Sequence, residues 1–233
     1  YWMGKNEFYA YNGGVQKLPC TVRDYVFSSF NENQAEKCFA SLNSSFSEVW
    51  WYYPSSGSEE IDRYVVFNYV QNIWYVGNLN RTAWIDRGVH NLPIAASTDN
   101  YLYNHETGSD DGSTSPAQAI AAYIESSQFD IGEGDQFSFI RRVIPDLTFR
   151  NSTATAPVVN MTFQSRNFPG GAYTNADASA ITRSAIVPVE QFTQDANIRL
   201  RGRSMSLKVD SAATGVAWRL GAPRIEIRPD GRR

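Results

Sequence analysis

The stretch Val49–Gly88, VWWYYPSSGSEEIDRYVVFNYVQNIWYVGNLNRTAWIDRG, constrains the fold more than any other part of the chain. It carries four of the six tryptophans. Val49–Tyr53, Arg63–Val70 and Ile73–Gly77 are dominated by β-branched and aromatic residues, which fit a pleated, half-buried surface. Pro54–Gly57 and Gln71–Asn72 interrupt them as hairpin turns do. Ala83–Ile85 is expected as a fourth strand. The stretch therefore reads as a small antiparallel meander.

Strands of the same kind flank it. Residues 1–19 predict a strand, a turn at Lys5–Asn6, a strand over Glu7–Tyr11, a turn at Asn12–Gly14 and a strand over Val15–Leu18. Tyr1 falls inside the first of these, so the sequence reads as part of a longer polypeptide. Residues 20–45 differ. Asn31 followed by Gln34 has capping-box form and predicts a short helix over Glu32–Ala40. Val22, Val26 and Phe30, four apart, place an apolar stripe on a preceding helical turn. Asn91–Ser97 and Asp99–Asn104 complete the first half. Aromatic strands begin at residues 7, 48 and 100, which is 41 and then 52 residues apart. That spacing is close to the roughly 40–50 residues of a β-propeller blade. An irregular β-sandwich is the alternative for this half.

Residues 105–118 are polar and turn-rich and mark a boundary, giving regions 1–110 and 111–233. Beyond it the expected strands are Ala121–Ile131 and Gln136–Ile144 around a turn at Gly132–Asp135, then Pro157–Gln164 closed by a turn at Asn167–Gly171. After a loop-like stretch over 172–184 come Asn197–Arg201, Ser204–Val209 and Val216–Arg228, the last broken at Gly221–Pro223. Ala117–Ala122 has a helix behind Ser115–Pro116 as its alternative. Strict alternation in Ser204–Val209 and Arg224–Arg228 puts one face in a core. The whole reads as all-β: propeller-like meanders, then an antiparallel β-sandwich, with one short helix.

Chemistry is sparse. The net charge of −3 gives no case for a nucleic-acid-binding domain of the basic kind. Cys20 and Cys38 have no CxxC spacing and read as buried free thiols. His90 and His105 are the two histidines and are expected on the surface. No serine stands in a G-x-S-x-G elbow. Glu59, Glu60 and Asp62, and Glu133 and Asp135, lie in expected turns where carboxylates serve solubility. The repeated box of sialidases is absent, and the chain reads as non-enzymatic. Glu106, Asp110 and Asp111 could ligate calcium with backbone carbonyls, but their spacing is not that of an EF-hand. No cofactor is expected. No apolar run reaches the roughly 18 residues of a membrane helix. Asn43, Asn80, Asn151 and Asn160 stand in glycosylation sequons. Arginine outnumbers lysine 17 to 4, which favours bidentate pairing at interfaces. Arg199, Arg201 and Arg203 form one cluster, and Arg224, Arg228, Arg232 and Arg233 another.

Four motifs carry a resemblance: W-M-G-x(3)-F-Y at Trp2–Tyr9, V-W-W-Y-Y-P-S at Val49–Ser55, F-D-I-G-x-G-D at Phe129–Asp135 and W-R-x-G-x-x-R at Trp218–Arg224. With them, nearly the whole chain resembles the C-terminal region of tail hub or nozzle proteins of short-tailed bacteriophages, also described as packaged-DNA stabilisation proteins. The resemblance implies a homo-oligomeric ring, usually a hexamer, in the virion tail below the portal and adaptor. Double-stranded DNA would pass transiently through its bore. The two arginine clusters are then expected at subunit or adaptor interfaces, and Glu59, Glu60, Glu106, Asp110 and Asp111 are candidates to line the bore. A net-acidic bore would let phosphates pass without counterion-release affinity. The competing reading is a carbohydrate- or receptor-binding module of a tail fibre or spike, with Trp50, Trp51 and Trp74 stacking on sugars. Their place in apolar strands predicts burial instead.

Overall fold

A computed structural model describes residues 1–130, 134–168 and 184–231. The chain divides into two units, Tyr1–Thr107 and Gly108–Arg233. Unit 1 opens with a meander of β1 (Trp2–Met3), β2 (Phe8–Tyr11) and β3 (Val15–Leu18). Helix α1 (Arg23–Ser28) and a 3-10 segment (Glu32–Lys37) follow. Asn31 caps the latter, its side chain accepting from the Asn33 amide. Next come β4 (Phe39–Asn43), β5 (Glu48–Tyr53), β6 (Arg63–Asn68) and β7 (Ile73–Asn78) in one four-stranded antiparallel sheet, then β8 (Ala83–Ile85), β9 (Ile94–Ala96) and β10 (Leu102–Asn104) in a third.

Two expectations are corrected here. Ala83–Ile85 is not the fourth strand of the central meander; it opens the third sheet by pairing with β9. The fourth strand is Phe39–Asn43, paired with β5. The helix expected to Ala40 therefore stops at Lys37. Cys38 is extended, with φ −64° and ψ 133°, and Phe39 and Ala40 take Tyr52 and Trp51 as ladder partners. Cross-strand pairing outweighs the local capping signal.

Packing explains the aromatic content of β5, which is buried on both faces. Val49, Trp51 and Tyr53, with Val65, Phe67 and Trp74, face Phe8 of the first sheet and Val26 of α1. The Phe8 ring lies 4.9 Å from Trp51 and 4.8 Å from Trp74. Val22 and Phe30 pack against the same cluster as Val26, but only Val26 lies within α1: Val22 is its N-cap and Phe30 forms a β-bridge with Ser55 beyond its end. Trp50, Tyr52 and Val66 face the other way and meet Trp84 of β8, with Trp50 and Trp84 stacked at 5.6 Å. The central sheet is thus covered on one face by the first sheet and α1 and on the other by β8. No sheet closes on itself among the described residues. Each large side chain so enclosed contributes roughly 1.5–3 kcal/mol of burial.

Unit 2 contains β11 (Asp110–Asp111), β12 (Gln118–Ala119), β13 (Ala122–Glu125), β14 (Phe129–Asp130), β15 (Ser138–Ile144), β16 (Leu147–Thr148), β17 (Val158–Arg166), β18 (Ser184–Glu190), β19 (Ala196–Gly202), β20 (Ser204–Ser211), β21 (Arg219–Leu220) and β22 (Arg224–Pro229). β11 and β12 form a two-stranded ribbon, so the segment from Ala117 does not begin as a helix. One sheet runs β13-β20-β17-β18, with β14 also on β20. A second runs β19-β15-β22, and β16 pairs with β21. Inward residues of both larger sheets share one core: Ile140, Val143, Ile198 and Leu200 on one side, Met161, Phe163, Val187 and Met205 among those on the other. This is a β-sandwich.

The hairpin expected between Ala121–Ile131 and Gln136–Ile144 does not form. β13 and β14 both pair with β20, whereas β15 lies in the opposite sheet. The chain crosses the sandwich there instead of turning back. Residues 131–133, with Gly132 and Glu133 of the expected turn, lie outside the described residues, as do 169–171 of the second expected turn, 172–183 of the expected loop, and Arg232 and Arg233.

Candidate functional sites

The three-stranded sheet turns one face to the core and presents arginines on the other. β15 carries a register shift between Ile140 and Arg142. This bulge lets Ile140 and Val143 both point inward while Arg141 and Arg142 both stay exposed. Phe139 pairs with Arg201 on one side and Arg228 on the other, and Arg142 with Asn197 and Glu226. Arg199 and Arg224 are exposed on the flanking strands. Four arginines named from sequence are thus brought onto one sheet and joined by Arg141 and Arg142, which the sequence reading missed. The Arg-Arg pair that breaks strand alternation was the available signal.

Local acids order part of this face. Arg142 lies 3.4 Å from Asp195 and 3.3 Å from Glu226, and Arg228 lies 3.1 Å from Glu226. Arg201 pairs with Asp230 and holds its guanidinium 4.0 Å over the Phe137 ring. Arg203, in the link between β19 and β20, lies 4.8 Å from the same ring. Exposed pairs of this kind contribute only about 0–1 kcal/mol each, so they orient the guanidinium groups more than they stabilise the fold.

The five candidate acids divide between the units, with Glu59, Glu60 and Glu106 in unit 1 and Asp110 and Asp111 in unit 2. Glu59 and Glu60 are exposed beside the β5–β6 turn, where Lys37 Nζ donates to the Glu59 carbonyl and to Glu60 Oε1 at 2.7 Å. Asp110 Oδ1 accepts from the Gly215 amide at 2.7 Å, and Asp111 Oδ1 from Ser113. Glu106 belongs to unit 1, at the opposite end of the central sheet from Glu60. Its Oε1 accepts from Asn43 Nδ2 at 2.9 Å.

Around Glu106 lies a polar, aromatic seam that the sequence reading did not find. Along one face of the central sheet, cross-strand rows read Asn43–Glu48–Asn68, Ser41–Trp50–Val66–Tyr75 and Phe39–Tyr52–Tyr64–Gly77. Glu48 is 8% exposed; its Oε2 accepts from Trp50 Nε1 at 3.0 Å and its Oε1 from the Tyr75 hydroxyl at 2.8 Å. Burial raises the Tyr64 and Tyr75 hydroxyls, and the Glu48 charge adds to it. Glu106 is exposed as a residue, but its carboxylate turns inward. Burial raises its pKa, the Asn43 hydrogen bond opposes, and the Glu48 charge adds.

His105 is not at the surface position expected of it. It is part-buried and packs 4.6 Å from the Trp84 ring, and its Nε2 accepts from Arg81 Nε at 3.0 Å. Arg81 in turn lies 4.5 Å over Tyr103. His90 is exposed. Trp50, Trp51 and Trp74 are core residues, with 8%, 2% and 7% exposure, so they form no open shelf for a sugar. Cys20 and Cys38 are free and half-buried against the first-sheet core, and burial pushes both thiols up to about 11. Among the described residues no group of three or more His, Cys, Asp or Glu is placed to hold a metal, and no helix is long and apolar enough to cross a membrane.

No protein-family model matches the chain, and no curated protein matches it either.

Proposed function

We propose that this chain is a structural component of a bacteriophage tail, part of a nozzle or hub ring below the portal and adaptor. In that place it helps form and gate the conduit through which the genome is retained and ejected. The arginine face of the β19-β15-β22 sheet is the observation that carries the reading. It gathers six exposed guanidinium groups on one face of a sheet, a chemistry suited to bidentate contact with carboxylates of a neighbouring subunit. Burial of β5 on both faces supplies the stiffness a conduit wall needs. Glu59, Glu60 and Asp111 are the candidate acids whose exposure suits a bore, since the Glu106 and Asp110 carboxylates are engaged by the Asn43 and Gly215 amides.

Arg199 and Arg224 provide the test, because neither has an ion-pair partner among the described residues. Wild-type protein is expected to show six-membered rings by light scattering and negative-stain imaging. The doubly substituted Arg199→Glu, Arg224→Glu protein should melt as wild type yet remain dissociated. A wild type that is monomeric at high concentration, or a variant that assembles unchanged, refutes the reading. The receptor-binding alternative loses its named residues, because the three tryptophans it relied on are buried.

A further inference from the structure

We infer that the seam at the Asn43–Glu48 end of the central sheet is a site for a hard divalent cation of the calcium class, ligated by the Glu48 and Glu106 carboxylates and the Asn43 carboxamide oxygen. Asn43 and Glu48 are direct ladder partners at the ends of β4 and β5. Asn43 is wholly buried, and its Nδ2 is committed to Glu106. Its Oδ1 is left buried with no partner. A buried acceptor without a donor costs about 1–3 kcal/mol, and structures rarely leave one so unless something else fills the place.

The charge balance points the same way. Glu48 is 8% exposed and takes only neutral donors, the Trp50 indole and the Tyr75 hydroxyl. Glu106 takes the neutral Asn43 amide. Neither carboxylate has a Lys or Arg within ion-pair distance among the described residues. Glu48 and Glu106 both approach Asn43, one as its ladder partner and the other as the acceptor for its amide, so a cation beside the Asn43 carboxamide would meet two carboxylates. The donors are all oxygen, and His105 Nε2 is occupied by Arg81, so zinc and other nitrogen- or sulfur-preferring metals are disfavoured. Calcium tolerates the irregular geometry that carboxylates from separate elements provide, with waters completing its shell. Because Glu106 lies one residue before the last residue of unit 1, the cation would tie the end of that unit to its central sheet. This inference does not depend on the tail reading.

The full chain, stripped with chelator and then freed of it, is titrated with Ca2+, with Mg2+ as comparison and Tb3+ as a luminescent probe excited through tryptophan. Ca2+ is expected to raise the melting temperature by a few degrees, and Tb3+ emission to saturate and be displaced by Ca2+. Glu106→Gln, which keeps an acceptor for Asn43, should weaken both signals at least tenfold, whereas Glu60→Gln should not. Asn43→Asp adds a third carboxylate, so it should melt lower in chelator and recover more than wild type on adding Ca2+. The inference is overturned by Tb3+ emission that ignores Glu106→Gln. It also fails if Asn43→Asp shows no added Ca2+ response, or if the wild type is stabilised by acid alone and not by Ca2+, which would make a proton the counter-charge.

Discussion

The Tyr64 side chain lies directly over the backbone of Gly77, its ladder partner across β6 and β7. A Cβ built at residue 77 overlaps the Tyr64 hydroxyl and ring, with Cε1 at 2.7 Å. The glycine is needed for close approach, since its backbone is not in the left-handed region. Tyr64 in turn stacks on Trp50 at 4.7 Å, so the contact positions the seam.

Gly77→Ala is therefore expected to destabilise unit 1, by about 1–3 kcal/mol from overpacking. This outweighs the roughly 0.5–1 kcal/mol that alanine ordinarily gains over glycine in a strand. Gly88→Ala is the control, because a Cβ there meets nothing within 4 Å. Urea unfolding of both proteins checks the expectation; equal midpoints for Gly77→Ala and wild type would show that Tyr64 moves aside freely.

Tyr75→Phe removes the hydroxyl donor from Glu48 Oε1 and leaves a buried carboxylate with one fewer partner. Hydrogen bonds to charged groups contribute about 1.5–3 kcal/mol, and the variant should lose an amount in that range. Tyr11→Phe, at a residue 69% exposed, should lose nothing measurable. Chemical denaturation followed by tryptophan fluorescence reports both, since Trp50 shares the same carboxylate.

Strand identity was legible wherever aromatic and β-branched residues concentrate, because such residues favour strands whatever they pair with. Val15–Leu18 and Ala83–Ile85 match the observed strands to the residue. Partner choice was not legible. Ala83–Ile85 reads equally well as the end of one meander or the start of another, and β14 reads as half of a hairpin until β20 supplies Met205 opposite Phe129. β18 went unread because Pro188 interrupts it; among the described residues β18 is the sheet edge, where a proline is tolerated. The seam was hidden for a related reason. Glu48 heads an aromatic strand and looks like an ordinary polar flank, and only the pairing with Asn43 and the inward turn of Glu106, 58 residues later, bring the three together.

Cys20 and Cys38 should be slow to alkylate in the native protein. With both thiols held at about 11 by burial, only about one in a thousand is thiolate at pH 8, against roughly a quarter for an unperturbed thiol. Timed reaction with a chromogenic disulfide is expected to show two protected thiols that react promptly once denaturant is added. Prompt native reaction of either would show that its side chain reaches solvent readily.

The pH dependence of stability should carry the signature of Glu106. Its carboxyl is raised above the usual 4.5, so the folded chain binds that proton more tightly than the unfolded chain does. Stability from this group is fully present below the unfolded value and is lost as pH rises through the raised folded value. Glu7 and Asp99 are lowered, Glu7 chiefly by its hydrogen bond from Lys17 and Asp99 chiefly by that from Tyr103, and they act in the opposite sense, losing stability as pH falls through values below 4.5 and 3.8. The two effects therefore occupy different windows. Measured in chelator, wild type should gain stability relative to Glu106→Gln as pH falls from neutrality toward 4.5, and the difference should stop growing below that value. Parallel curves for the two proteins across that window would show that the Glu106 carboxylate is solvated as freely in the folded chain as in the unfolded one.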